Sequence, residues 1–412
     1  MKTAKLTGLI AAAVGLVWNV AAAQEPATPK PGEQRLLSFL GDGRHGLEEH
    51  GIDLQAVLTL EYIKNTRGGV KTESAWLGNI DLTLEIDTAA AGLWDGGTFF
   101  LYGLGDFNDG DYPTEIVGDI QGTSNIEAPA TFKLYEAWYN QELFDGKLAI
   151  LAGLHDYNSE FDVMEYAGLL PNSSFGITPQ ISQVGPSIFP TTSLALRVAV
   201  KPVSGSYVLA AVYDGVPGDP GDDRVADLVR FDSGDGAFYA LELGLTPDDG
   251  AECPYYKLAV GGWYHTADIE DIDGNEVDKN YGAYVIGEVS VYREDDGEQG
   301  LGIFAQVGNA KEDRNQIAYC VAAGCHYLGL LPGRNADEFG VGVCHAILSD
   351  DFRDSPGGAG LDRAETAIEC TYRAAIADWL AIQPDIQYIV NPLSEPGLDN
   401  ALQVGVRAEI AF

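Results

Sequence analysis

Two short stretches and one distant arginine collect charged, amide and aromatic side chains suited to holding a polar solute without covalent chemistry. They are Lys133, Glu136 and Trp138 in KLYEAWYNQ, His155, Asn158 and Glu160 in GLHDYNSEF, and Arg197. Charged and amide groups can stand in for the water around hydroxyls, while an aromatic face covers the C–H surface of a ring. Glu85, Glu369 and Arg373 extend the set. Covalent catalysis is poorly served: the six histidines (His45, His50, His155, His265, His326, His345) adjoin no Ser or Cys motif, and G-x-S-x-G and phosphate-binding glycine loops are absent. A hydrolase site assembled from separate strands stays open as an alternative. The plain reading of each charged residue is a wall group in contact with water, and Trp138 fits a lipid-facing aromatic girdle as well as a lumen.

These side chains sit on strands. Leu402, Val404, Val406, Ala408, Ile410 and Phe412 alternate with Gln403, Gly405, Arg407 and Glu409 at the C-terminus, and Ile382, Ile386, Tyr388 and Val390 alternate with Gln383, Asp385 and Gln387 before them. At the other end Ile52, Leu54, Ala56, Leu58, Leu60 and Tyr62 oppose Asp53, Gln55, Thr59 and Glu61, and Ile80, Leu82, Leu84 and Ile86 oppose Asn79, Asp81, Thr83 and Glu85. Further segments are expected at 97–107, 131–142, 147–156, 191–201, 206–214, 236–246, 254–266, 281–292, 300–310, 315–327, 338–348 and 363–375, which with these four make sixteen. Those at 97–107, 131–142 and 206–214 lack clean alternation, so their facing is unassigned. Parity directs Asp53, Glu61, Asp81, Glu85, Arg197, Lys201, Glu242, Lys257, Glu288, Glu365, Glu369, Arg373, Asp385, Gln387, Arg407 and Glu409 to the polar side.

Lys2 and Lys5, the apolar run Leu9 to Val17 and Ala21-Ala22-Ala23 read as a removable secretory leader over residues 1–23. Residues 24–50 form a Pro-rich tether and a short helix, expected on the periplasmic side, and 51–412 form the strand-rich body. Beyond residue 23 no apolar run approaches the roughly 18 residues of a membrane helix. A chain in a membrane would then span it as a closed antiparallel barrel, since lipid satisfies no backbone N–H or C=O. A large secreted soluble β-protein is the rival, and the long series of ten-residue strands argues for the barrel. An even strand count places both termini in the periplasm and the long connections 108–130, 157–190, 215–235, 268–280 and 349–362 outside. Loops 108–130 and 157–190 are long enough to fold inward and narrow the lumen, which singles out the residues beside them.

The net charge of −38, more negative by two once Lys2 and Lys5 leave, excludes nucleic acid as a natural partner and disfavours anions in the lumen. Cys253, Cys320, Cys325, Cys344 and Cys370 have no metal-site spacing; Cys320 and Cys344 face the lumen from neighbouring strands, either paired by an oxidising periplasm or as separate buried thiols. The acidic run DIEDIDGNEVDKN misplaces Gly274 for a calcium loop and reads as solvated. No cofactor or metal is called for.

The strings GDGRHGLEEHGI, GGTFFLYG, KLYEAWYNQ, VYDGVPG, LPGRNADEFGVG and QPDIQYIVNP, with the terminal VGVRAEIAF, resemble in order and spacing the carbohydrate-selective outer-membrane porins of the OprB type. The resemblance covers nearly the whole chain after the leader. It implies a transmembrane β-barrel in the outer membrane that passes mono- and small oligosaccharides passively, with sugars and small hydrophilic solutes, outer-membrane lipid and a homotrimer as its partners. It assigns no residue roles. A general cation-favouring diffusion porin is the alternative within transport; a barrel-embedded hydrolase or a purely structural barrel lies outside it.

Overall fold

The computed structural model describes residues 46–221, 234–248, 253–294 and 299–412. The expected leader and the tether up to residue 45 lie outside the described residues. A helical turn at 46–48 leads into β1 (Ile52–Arg67), followed by β2 (Ser74–Asp87), β3 (Gly97–Asn108), β4 (Thr131–Leu143), β5 (Leu148–His155), β6 (Ser193–Val200), β7 (Ser206–Asp214), β8 (Ala237–Leu245) and β9 (Tyr256–His265). A small ribbon of β10 (Ile269–Glu270) and β11 (Glu276–Val277) interrupts the series. Then come β12 (Asn280–Arg293), β13 (Gly300–Ala310), β14 (Ile317–Leu328), β15 (Glu338–Leu348), β16 (Ala364–Ala377), β17 (Leu380–Val390) and β18 (Ala401–Ala411).

Sixteen of these strands form one closed antiparallel barrel, each pairing with its neighbour in the chain and β1 closing on β18 with Leu60 opposite Ala408. Closure leaves no strand edge with unpaired backbone groups. The expected count holds, and the start of β1 and the end of β18 lie at the same end of the barrel, away from the long loops.

The alternation sorts the faces as expected in β1: Thr59, Glu61 and Asn65 are buried inside, and Leu54 is 43% exposed outside. Leu241, Leu243 and Leu245 on β8 and Leu258 and Val260 on β9 are each about half exposed on the outer wall. Covering such half-exposed chains with lipid is worth about 1 kcal/mol each, against roughly 1.5–3 kcal/mol for a fully buried one. No helix among the described residues is long and apolar enough to cross a membrane. Aromatic pairs mark both rims of the apolar band: Tyr62 and Trp76, 4.8 Å apart, near the loop end, and Phe99 and Tyr139, 4.7 Å apart, near the terminal end, where Trp94 Nε1 donates to Tyr139 OH at 2.7 Å.

The three strands without clean alternation have physical reasons for it. In β4 the register slips so that Tyr102 opposes Glu136 while Gly103 opposes Leu134, leaving Tyr135 as the extra residue. This bulge lets Lys133 and Glu136, of opposite parity, both turn inward. In β3 the inward residues Phe100, Tyr102 and Leu104 are apolar too. In β7 inward Tyr207, Leu209, Ala211 and Tyr213 are covered by protein rather than water.

Candidate functional site

What covers them is the connection 156–192, which folds into the barrel. Phe161, Met164, Phe175 and Ile181 from this loop join one buried cluster with Leu209, Tyr213, Phe238, Tyr284 and Phe304 of the wall. Glycines on the inner wall make the room: a Cβ at Gly342 would stand 2.5 Å from Leu170 Cδ1 and 2.6 Å from the Phe175 ring. An irregular loop leaves backbone groups without ladder partners, and inside a barrel the wall must supply them. Wall carboxylates do so. Glu288 accepts from the N–H groups of Glu165 and Tyr166 at 3.0 and 2.8 Å, Glu369 from Asn172 N–H at 3.2 Å, Glu242 from Asp162 N–H at 3.3 Å, and Glu136 from Asp156 N–H at 3.2 Å. Lys257 and Gln383 donate to the carbonyls of Val163 and Leu169, both at 2.8 Å.

The connection 109–130 is seated in the same way, and β16 and β17 hold it together with the inserted loop. Glu365 accepts from Ile120 N–H at 3.0 Å and Gln121 Nε2 at 3.1 Å, and Gln387 donates to Thr123 O at 2.9 Å. Ser124 Oγ donates to Glu61 at 2.5 Å, and Arg407 spans Glu61 at 3.2 Å and Asn125 Oδ1 at 2.7 Å. The two loops then bond to each other: Ser173 N–H donates to Gly122 O and Asn125 N–H to Pro171 O, both at 2.8 Å. Both loops expected to fold inward do so.

A cavity of about 140 Å³ opens between them, lined by Asn125, Glu127, Asn158, Ser173, Ile177 and Phe189 among others. On the wall of β3 and β4 lies an aromatic strip: Phe100 stacks on Trp138 at 4.8 Å, Tyr102 meets Tyr135 edge-on at 5.0 Å, and Phe189 from the inserted loop meets Tyr135 at 6.4 Å. Polar groups border the strip, including Asp81, which accepts from Tyr102 OH at 2.5 Å and Asn79 at 3.0 Å. Aromatic faces beside fixed hydrogen-bonding groups can hold a polar ring compound in transit.

Lys133, Glu136, Trp138, His155, Asn158, Glu160 and Arg197 come together in one region of β4 to β6 and the start of the inserted loop. Lys133 Nζ donates to Pro220 O of the next external loop at 2.6 Å. Trp138 faces the lumen, not lipid, with Nε1 on Glu136 at 3.0 Å. Glu160 and Arg197 form a buried ion pair at 2.7 Å. Asn158 Nδ2 braces the loop carbonyls of Phe161 and Gly176 at 3.2 and 3.0 Å. His155 Nδ1 lies 3.0 Å from Tyr213 OH, and Ser159 Oγ lies 3.2 Å from Nε2, the same nitrogen that Glu160 approaches at 3.9 Å. A serine relay needs its acid on the other ring nitrogen, and Ser159 donates instead to Asp156 O at 2.7 Å.

Glu85, Glu369 and Arg373 lie elsewhere. Glu85 is exposed, opposite Asp53 near the terminal end of β2. Glu369 sits beneath the inserted loop. Arg373 bonds Glu409 at 2.8 Å and Glu338 at 3.2 Å, and His326 meets Glu338 at 2.9 Å. The strip residues Phe100, Tyr102, Tyr135 and Phe189, and the Glu61–Arg407–Asn125 link, are additions that residue type alone did not single out; inward parity had marked only Glu61 and Arg407.

Burial raises the carboxyls that the loops carry inside. Asp162, which accepts from Thr178 N–H at 3.0 Å and also from Gln306, is pushed up to about 7, and Glu127 likewise to about 7. Asp119 and Asp156 are pushed up to about 6, with bonds from Thr123 and Tyr135 pulling the other way.

A closed sixteen-stranded barrel with an apolar belt, aromatic rims and loops folded into a polar lumen is a porin of the outer membrane, a transport architecture for small polar solutes. The chain belongs to the OprB family of carbohydrate-selective porins, whose model matches residues 71–412. It is 24% identical to Porin B of Pseudomonas aeruginosa over 97% of this chain and 96% of that one. Its fold is similar to the high pH structure of Pseudomonas putida OprB, with a TM-score of 0.81 and 20% identity over 90% of this chain and 97% of that chain. The low pH structure of the same protein gives a TM-score of 0.60 and 18% identity over 92% and 98% of the two chains. A Rhodopseudomonas blastica porin variant is more distant, with a TM-score of 0.51 and 13% identity over 88% of this chain and the whole of the other.

Proposed function

We propose that this porin gives passive, carbohydrate-selective passage to mono- and small oligosaccharides, through an acidic lumen narrowed by the loops 109–130 and 156–192. The observation that carries this reading is the pairing of a loop-walled cavity with the aromatic strip of Phe100, Trp138, Tyr102 and Tyr135. A neutral sugar ring can lie on the strip while its hydroxyls exchange water for amide and carboxylate partners. Trp138 and Glu136 are assigned direct roles; Lys133, His155, Asn158, Glu160 and Arg197 hold the walls around them. Glu369 serves the same end from beneath the loop, whereas Glu85 and Arg373 act on the periplasmic half of the path. The assembly proposed with it is a homotrimer.

Single-channel conductance of the refolded protein in planar bilayers, with glucose, a disaccharide and a charged solute of similar size, tests the reading. Saturable block by sugars, weakened by Trp138→Ala, is expected. Conductance indifferent to sugars but selective for cations would favour a general diffusion porin, a reading that the acidity of the chain supports.

A further inference from the structure

Cys320 on β14 and Cys344 on β15 lie 24 positions apart in the chain, and their Sγ atoms are 3.1 Å apart. The register places Cys320 opposite Ala346 and Cys344 opposite Ala322, so the two cysteines are diagonal neighbours on one face of adjacent antiparallel strands. Both are fully buried, in the cluster that also holds Phe175 and Ile181 of the inserted loop. We propose that Cys320 and Cys344 are joined by a disulfide in the mature protein, a covalent stitch across the part of the wall that seats the loop.

Three observations support it together. The sulfurs converge to about 1 Å more than a bond of roughly 2.05 Å, so the side-chain directions already suit a bridge. An outer-membrane protein passes through the periplasm, where thiols oxidise. The other cysteines do not compete: Cys253 is exposed in the turn before β9 whereas the pair is buried, and Cys325 and Cys370 each oppose Val341 from different sides, on strands β14 and β16 with β15 between them. Two strand spacings of about 4.8 Å exceed the roughly 7 Å limit between bridged Cα atoms.

The oxidant is a periplasmic protein disulfide. One cysteine thiolate attacks it, forming a mixed disulfide and expelling one oxidant thiolate; the second cysteine thiolate then attacks the mixed disulfide and displaces the other. Two electrons pass to the oxidant, and the two protons end on its thiols. Because both sulfurs are sealed in the finished barrel, the exchange belongs to the stage before the inserted loop packs over them.

The test is peptide mapping of the protein purified from outer membranes, with free thiols alkylated at harvest and again after denaturation without reductant. Alkylation of three of the five cysteines, with a linked peptide pair containing Cys320 and Cys344 that separates on reduction, is the expected result. Five alkylated cysteines in most chains would overturn the proposal, as would a linkage that engages Cys253, Cys325 or Cys370. As a second readout, reductant should lower the temperature at which the folded band converts to the unfolded one on a gel, and Cys320→Ser with Cys344→Ser should remove that dependence. A conversion temperature that reductant leaves unchanged in the parent protein would count against it.

Discussion

Glu127 lines the cavity, accepts both Thr114 N–H and Thr114 Oγ1 at 3.0 Å, and is pushed by burial up to about 7. Its folded form therefore keeps a proton that the unfolded chain releases near 4.5. The stability it contributes is full below that value and is lost as pH rises to about 7. Above about 7 the cavity gains a negative charge, so cation preference should rise as pH passes through about 7, read from reversal potentials. Glu127→Gln should flatten that rise; a rise unchanged in the variant would remove Glu127 from the path. Glu160 and Arg197 give a different prediction, because both are buried and bonded at 2.7 Å. Glu160→Gln should cost about 3–5 kcal/mol by leaving the guanidinium buried beside a neutral partner, and Glu160→Gln with Arg197→Met should recover much of it. Denaturant unfolding of both variants in detergent checks the pair.

Among the elements, what was legible follows from what each strand's inner face touches. β1, β2, β17 and β18 read cleanly because lipid lies on one side and polar lumen groups on the other, so period two survives in the residue types. β3 and β7 blur because the aromatic strip and the inserted loop make their inner faces apolar as well. Alternation in β4 fails for a separate reason, the extra residue at Tyr135. Loss of alternation thus marked strands whose inner faces meet the aromatic strip and the inserted loop, although it hid which way their residues point. Loop length correctly directed attention to 108–130 and 157–190, but the partners of those loops were beyond sequence reading, since Glu61 with Ser124 and Glu369 with Asn172 join residues far apart in the chain. The inward glycines were an unread signal. Gly342→Val should overpack Leu170 and Phe175 at a cost of about 1–3 kcal/mol. The barrel should still form, because β15 keeps its ladders to β14 and β16. The loop should lose its seat, and the expected result is a larger open conductance with weaker sugar block. Unchanged conductance in a folded variant would show that the loop seat does not set the pore.

For the whole molecule, the acidity has two separate jobs, and they respond differently to salt. Carboxylates such as Glu288, Glu365 and Glu369 are buried and spent on loop backbone N–H groups, so dissolved ions screen them little. Others, such as the exposed Asp268, Glu270, Asp273 and Asp278 of the external connection between β9 and β12, stand in water and act on ions through the solvent. The field of this second group reaches about 10 Å at 0.1 M ionic strength and about 3 Å at 1 M. Potassium should therefore permeate more readily than chloride at 0.1 M, and the ratio should fall several-fold towards 1 as salt rises to about 1 M. The sugar block, resting on close contacts with the aromatic strip and loops that the buried carboxylates hold in place, should keep its half-saturation concentration within about a factor of two over the same range. Reversal potentials and sugar titrations on one set of channels separate the two. A block that faded together with the ion preference would mean that the solvated charges, and not the seated loops, make the solute site.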